Sequence, residues 1–227
     1  VYDHGAGTVV VINVLDPSVH KSTIASESVT VDDNSKIQLK HGGIQSLAIG
    51  RSINAGIPYT KDSDYTVDML TGRITCMGNN LTPGTKAFVN YTYSDPTKVT
   101  AAEIIGTVNA AGDRTGMKVL QDTYNLFGFF AKILIAPVFC TQKSVATELI
   151  AQAENLGAIS YIDAPIGTTF QQVLAGRGST GTINFNTSSD RARLCYPHVK
   201  VYDSTANTEV LEPLSSRAAG LRAKIDL

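Results

Sequence analysis

The chain has 227 residues, room for one or two domains, with 43% hydrophobic and 17% charged residues; globular proteins usually carry ~25% charged. Its formal net charge is −1 and it has no long Lys/Arg run, so composition gives no electrostatic footprint for nucleic acid or an anionic membrane. A membrane-spanning helix needs ~18 consecutive apolar residues, and the longest apolar stretch, around Phe127–Val138, is broken by Gly128, Lys132 and Pro137.

The first part of the chain reads as short strands between turn residues. Thr8–Leu15 (TVVVINVL) is a β-branched run, Ser28–Val31 and Lys36–Leu39 alternate, and Ile44–Gly50 is a further candidate strand. Tyr65–Asp68 leads through Leu70, Thr71 and Gly72 into Arg73–Met77, and after a turn at Gly84 the stretch Lys86–Tyr93 (KAFVNYTY) alternates polar and apolar. Short strands at regular spacing, separated by Gly, Asn and Pro, predict a β-sandwich or barrel domain over residues 1–97.

Past Asp95-Pro96 the period changes. Met117, Leu120, Tyr124 and Phe127 recur at helical spacing, with Asp113 or Thr115 placed to cap the start. Lys132–Val138 (KILIAPV) is a compact apolar strand. Thr141 can cap a second helix whose stripe is Val145, Leu149, Ala153 and Leu156, and Gly157 supplies the left-handed residue that stops it. Ala158–Ile162 is a second strand, Phe170–Leu174 begins a short helix, and Arg193–Tyr202 holds a third strand. Pro197 inside it predicts a bulge or an edge position. Ser215–Ile225 is helical. Strand, helix, strand, helix, strand predicts a Rossmann-like three-layer α/β domain over residues 98–227.

No signal peptide opens the chain. It begins at Val1 rather than Met and stops at Leu227 inside a helix, which predicts a trimmed chain or a proteolytic core. Cys76, Cys140 and Cys195 are odd in number and widely spaced, without a CxxC. They read as three buried or partly buried free thiols from a reducing, cytoplasmic origin.

Few residues suggest chemistry. Gly176–Gly181 (GRGSTG) matches G-x-G-x-x-G, but a helix precedes it and an extended run, Thr182–Phe185, follows. A dinucleotide site needs a strand first and a helix second, so a permissive surface loop is the expectation. Gly112-Asp113-Arg114-Thr115-Gly116 resembles an anion-binding helix start, yet lacks the Lys-Ser/Thr of a P-loop and reads as a capped helix entry. His4, His20 and His41 fall near turns and read as solvated, whereas His198 reads as a buried strand residue. Cys195 and His198, three apart on one strand, point to opposite faces. Asp32-Asp33, and Asp62 with Asp64, read as turn acids rather than a calcium site. Tyr91 and Tyr93 share a strand face that lines a core or, if exposed, stacks a ligand.

Three segments resemble the tail-sheath family of contractile phage tails, its Mu-like members in particular. They are Gly112–Leu120 (GDRTGMKVL) with the strand KILIAPV after it, Thr147–Asp163 (TELIAQAENLGAISYID), and Ala218–Asp226 (AAGLRAKID). Together they cover most of the second domain. In the first domain, Tyr59–Asp68, Gly72-Arg73-Ile74 and Val89–Tyr93 are similar to β-sandwich modules of phage tail and baseplate proteins.

The resemblance implies a fragment of a contractile tail sheath subunit, without the family's N-terminal arm and C-terminal domain. It is then a virion protein, assembled in the host bacterial cytoplasm, that contracts to drive the tail tube through the host envelope. Its partners would be copies of itself in stacked hexameric rings, the tail tube protein and the baseplate, with no direct nucleic acid and no membrane insertion. The fragment alone is expected to be monomeric. The α/β half would supply the inter-ring contacts and the β half would sit outside, so that deleting residues 5–93 leaves assembly intact. The resemblance supplies no catalytic, cofactor-binding or metal-binding residue. Two rivals stay open: another tail or baseplate component whose β half binds a host glycan or protein near Tyr91 and Tyr93, and a Rossmann-like nucleotide enzyme using Gly176–Gly181.

Overall fold

The structure is a computed structural model and describes residues 7–203 and 208–225. Two readings fall partly or wholly outside these residues, His4 and the last position of AAGLRAKID, Asp226. The chain divides into two compact units, one spanning Leu15–Val99 and the other running from Thr100 onward together with the residues up to Val14.

The first unit is built from seven strands: β1 (Lys21–Thr30), β2 (Lys36–Gln38), β3 (Ile44–Ser52), β4 (Gly56–Pro58), β5 (Tyr65–Asp68), β6 (Arg73–Cys76) and β7 (Lys86–Ser94). They form a four-stranded sheet in the order β1-β7-β3-β4 and a three-stranded sheet in the order β2-β6-β5, with every pairing antiparallel. Alternation on β7 explains its place at the centre: Ala87, Val89 and Tyr91 point inward and are buried. They meet Ile37, Ile74 and Cys76 of the smaller sheet, so the two sheets share one hydrophobic cluster. β1 carries an irregularity between Ile24 and Glu27. Ser26 there has φ +58, and its N–H donates to Asn90 Oδ1 at 2.7 Å, a bulge pinned by a side chain.

Thr8–Leu15, expected as a strand of the first domain, is not a strand, and all of it but Leu15 belongs to the other unit. Its apolar residues are half-buried or exposed, and among the described residues it lies in no sheet. A β-branched run is a strand only when a ladder partner exists.

The second unit opens with α1 (Ala101–Ile105), held by a capping box. The Thr100 N–H donates to Glu103 Oε2 at 2.7 Å and the Glu103 N–H to Thr100 Oγ1 at 3.4 Å. A 3₁₀ turn, Gly116–Asp122, runs into α2 (Thr123–Phe127). Then follow β8 (Ile133–Ile135), α3 (Lys143–Leu156), β9 (Ile159–Asp163), α4 (Phe170–Gly176) and β10 (Ala192–Cys195). β8, β9 and β10 form a parallel sheet with β9 in the middle. A hairpin of β11 (Val199–Asp203) and β12 (Thr208–Glu212) precedes α5 (Leu214–Ile225).

α3 packs on β8 and β9 through Val145, Ala146, Leu149, Ile150 and Ala153. Gly157 ends it with φ +62, its N–H reaching Glu154 O while the Ala158 N–H reaches Ala153 O, a Schellman closure. Two expected caps are absent. Thr141 Oγ1 donates instead to Val138 O at 2.7 Å, and neither Thr115 nor Gln142 accepts a capping bond. The third strand, expected over Arg193–Tyr202, is two strands. The chain breaks at the cis Tyr196–Pro197 bond, after which β11 leaves the parallel sheet and pairs with β12.

Candidate functional site

The two glycine motifs close on the protein's own backbone. In the GDRTG segment, Asn109 Oδ1 accepts from the N–H groups of Ala111 and Asp113 at 2.9 Å each, and Asn109 Nδ2 donates to Asp113 Oδ2 at 2.7 Å. Asp113 thus closes a turn and does not cap a helix. Arg114 reaches forward to Asp122 at 2.8 Å. Gly116, at φ +54, lies against the end of α1. The N–H groups of Ala111, Gly112, Asp113 and Thr115 are thus taken by acceptors of this same segment.

Gly176–Gly181 follows α4 and folds back on itself. The N–H groups of Phe185, Asn186 and Thr187 donate to the carbonyls of Gly176, Gly178 and Arg177 at 3.0–3.2 Å. A β-carbon on Gly176 would lie 2.7 Å from Ile183 Cβ, so this glycine serves close packing against buried Ile183. A helix precedes the glycines, as the sequence reading has it, whereas Thr182–Phe185 after them are assigned to no strand; a dinucleotide site needs a strand first and a helix second.

Tyr91 and Tyr93 do share a face of β7, but they differ in exposure. Tyr91 is 2% exposed. Its hydroxyl donates to Glu27 Oε2 at 2.5 Å and lies 2.9 Å from His41 Nδ1. With the phenol hydrogen given to Glu27, the His41 ring nitrogen is the donor in that second bond. Burial, reinforced by the bond to Glu27, pushes the Tyr91 phenol well above its ordinary value. The His41 ring stacks on Tyr93 with centroids 4.0 Å apart. Tyr91 is therefore a core anchor and cannot itself stack a glycan.

His20 and His198 differ from expectation. His20 is buried, with its Nδ1 accepting from the Asp16 N–H at 2.9 Å, whereas His198 is half-buried. The acid pairs are turn acids: Asp32 accepts from the N–H groups of Asn34 and Lys36, and Asp64 from Thr60 N and Asn80 Nδ2. Among the described residues no group of three His, Cys, Asp or Glu is arranged to hold a metal.

Two features were not anticipated. The first is a buried polar cluster at the C-terminal end of β9. Asp163, 1% exposed, accepts the Ser215 N–H at 2.8 Å and the Ser215 hydroxyl at 2.5 Å. Cys140 Sγ lies 3.5 Å from Asp163 Oδ2 and accepts the Asp163 N–H at 3.3 Å. Cys195 pairs with Asp163 in the sheet register. Burial pushes both thiols up to about 12, so they are neutral at physiological pH. The one sequence signal was an Asp ending an otherwise apolar strand; Ser215, 52 positions away, gave none.

The second is an aromatic ledge. Tyr124, Leu126, Phe127, Phe129 and Phe130 are between 38% and 64% exposed. Tyr124 stacks on Phe130 at 5.0 Å, and Phe127 lies 6.1 Å from Phe129. Helical spacing had placed Tyr124 and Phe127 on the stripe with Met117 and Leu120; only the latter two are buried. Four half-exposed aromatic rings leave roughly 400 Å² of largely apolar surface in water, the size of the largest patch on an ordinary monomer, which is often functional.

Residues 112–227, the segment that holds the polar cluster and the ledge, match the phage tail sheath protein central domain. Over its whole length the chain is 62% identical to the tail sheath protein of Burkholderia phage BcepMu, of which it covers 48%. Over 127 residues, 56% of the chain, it is 32% identical to the tail sheath protein of Escherichia phage P2, of which it covers 30%. The chain thus spans about half the length of the first of these relatives and less of the second.

Proposed function

Because the chain belongs to the phage tail sheath protein family, we propose that it is part of a structural subunit of a contractile phage tail sheath, which self-assembles around the tail tube and shortens to drive that tube through the host envelope. The observation that carries the self-assembly reading is the aromatic ledge at 124–130, inside the family-matched segment. Apolar surface of this extent costs free energy in water and is offset when another surface covers it. In a sheath the cover is a neighbouring copy. Stacked hexameric rings, contact with the tail tube and the baseplate, and assembly in the host cytoplasm complete the reading.

We also infer that the first unit is a β-sandwich and the second a Rossmann-like three-layer domain. The shared cluster between two antiparallel sheets supports the former. The parallel β10-β9-β8 sheet, with helices between its strands, supports the latter. Contraction then fits rigid domains rearranging at bistable interfaces.

The test is ultracentrifugal pelleting of the protein at the full length of its relatives, with Phe127→Ser and Phe129→Ser introduced together. The reading expects the wild type to pellet as polymer and the variant to stay in the supernatant. A variant that pellets like the wild type removes the ledge from the assembly contact.

A further inference from the structure

We propose that the aromatic ledge is one half of a head-to-tail joint between copies of this chain, and that its other half is an apolar edge at the opposite end of the parallel sheet, carrying Val138, Ile166, Phe170, Leu174 and Tyr196. The inference rests on the sheath reading and names the surface that meets the ledge.

Strand direction places the two patches. β8, β9 and β10 are parallel, so their starts lie at one end of the sheet and their finishes at the other. The ledge runs through Phe129 and Phe130 into the start of β8. At the finishing end each strand is soon followed by an exposed apolar side chain. Val138 comes three residues after Ile135, Ile166 three after Asp163, and Tyr196 directly after Cys195. They are 64%, 66% and 36% exposed. Neighbouring strands run ~4.8 Å apart, which brings the three close together. α4 opens shortly after Ile166, and Phe170 and Leu174, 61% and 53% exposed, form its outer face, while Val173 and Gly176 are buried.

At Val138 the exposure comes with strain. A β-branched residue at φ +69 is rare, and this one gains no burial in return. Strain of that kind gathers where a surface is used.

The occupant follows from charge and from area. Residues 123–131 and 164–176 contain no Asp, Glu, Lys or Arg, so each patch selects an uncharged, apolar surface, and each supplies what the other needs. Both lie inside the family-matched segment, so every copy carries both. Two different surfaces at opposite ends of one sheet make a heterologous contact, which closes into rings or continues as an open helical polymer, whereas a patch that meets its own copy stops at a dimer. Each patch exposes roughly 400–500 Å². Covering a pair therefore buries about 900 Å², short of the ~1,600 Å² of a stable pair standing alone. One joint by itself is weak. In a polymer every interior copy makes it twice, once through each patch.

The experiment places one cysteine beside each patch without touching its apolar side chains, Asn125→Cys at the ledge and Gln171→Cys at the edge, both at exposed positions, in the protein at the full length of its relatives. A short bismaleimide then joins thiols across the contact, with the wild type as background. The expected result is a mixed covalent dimer when the two single variants are assembled together, a ladder of multimers from the double variant, and neither product from a single variant assembled alone. A single variant that crosslinks to itself would make the contact two-fold and overturn the joint. Polymers that form without the mixed dimer would overturn it too, while leaving the sheath reading in place. If neither the variants nor the wild type polymerise, that reading falls and the joint with it. Before assembly, a thiol of Gln171→Cys closed to maleimide would mean that the chain covers the edge itself, which also overturns the joint.

Discussion

Gly106 and Gly116 pack backbone to backbone. Both have positive φ, +74 and +54, and a β-carbon on Gly116 would lie 2.7 Å from the Gly106 nitrogen and 2.5 Å from the Glu103 carbonyl oxygen. The glycine of the RTG triplet is thus required twice, by its conformation and by the close approach of α1. Gly116→Ala should cost about 3 kcal/mol or more of stability. Gly157 shares the left-handed conformation but has open space where its β-carbon would go. Gly157→Ala should therefore cost only about 1 kcal/mol, the conformational part alone. Urea unfolding of the two variants separates the effects, and equal losses would contradict the packing argument.

Acid should loosen the first unit before it affects thiol chemistry. The Ser22 hydroxyl, and then the Thr97 hydroxyl, hold the Asp95 carboxyl below the usual carboxylate range, and Asn80 and the Thr60 N–H do the same for Asp64. A lowered folded value means stability that is present above the ordinary carboxylate pKa and lost as pH falls through the folded value, so the decline begins below about pH 4. Asp95→Asn should flatten that decline in a melting-temperature profile. The thiols give the opposite limb. Burial raises Cys140 and Cys195 to about 12, so stability is full below about 8.5 and falls as pH climbs from there toward 12. Cys195→Ala should flatten the alkaline side.

Exposure separates the ledge from the core. Phe127 is 52% exposed and Leu149 2%. Phe127→Ser should leave the melting temperature nearly unchanged, whereas Leu149→Ala should cost about 2–5 kcal/mol. If Phe127→Ser unfolds the unit, the ring belongs to the core and has no surface role.

The placement of residues up to Val14 with the second unit changes where a deletion should be made. Removing Leu15–Val99 and joining the ends with a short Gly-Ser linker should leave the second unit folded, with its helical circular dichroism intact and polymer formation by the longer protein preserved. Removing residues 5–93 also takes away Val9–Val14 and should lower the melting temperature. Equal behaviour of the two deletions would detach that segment from the second unit.

Local patterns carried much of this into view from the sequence. The alternation of KAFVNYTY gives β7 its inward Ala87, Val89 and Tyr91, and the α3 stripe and its Gly157 stop are where the helical period put them. What stayed hidden depended on partners distant in sequence. Thr8–Leu15 has strand composition but no ladder to join. Pro197 redirects the chain because a separate partner, β12, is available beyond it. Tyr91 reads like Tyr93 until Glu27 and His41 are brought to its hydroxyl. The Asp163–Ser215 pair joins residues 52 positions apart, and neither has a local motif to announce it.

Polymerisation into a sheath is what the proposed function requires of the protein. The most direct measurement is negative-stain electron microscopy of the protein expressed alone at the full length of its relatives. Hollow striated tubes or stacked rings are expected. Only monodisperse particles under the same conditions would overturn the sheath reading.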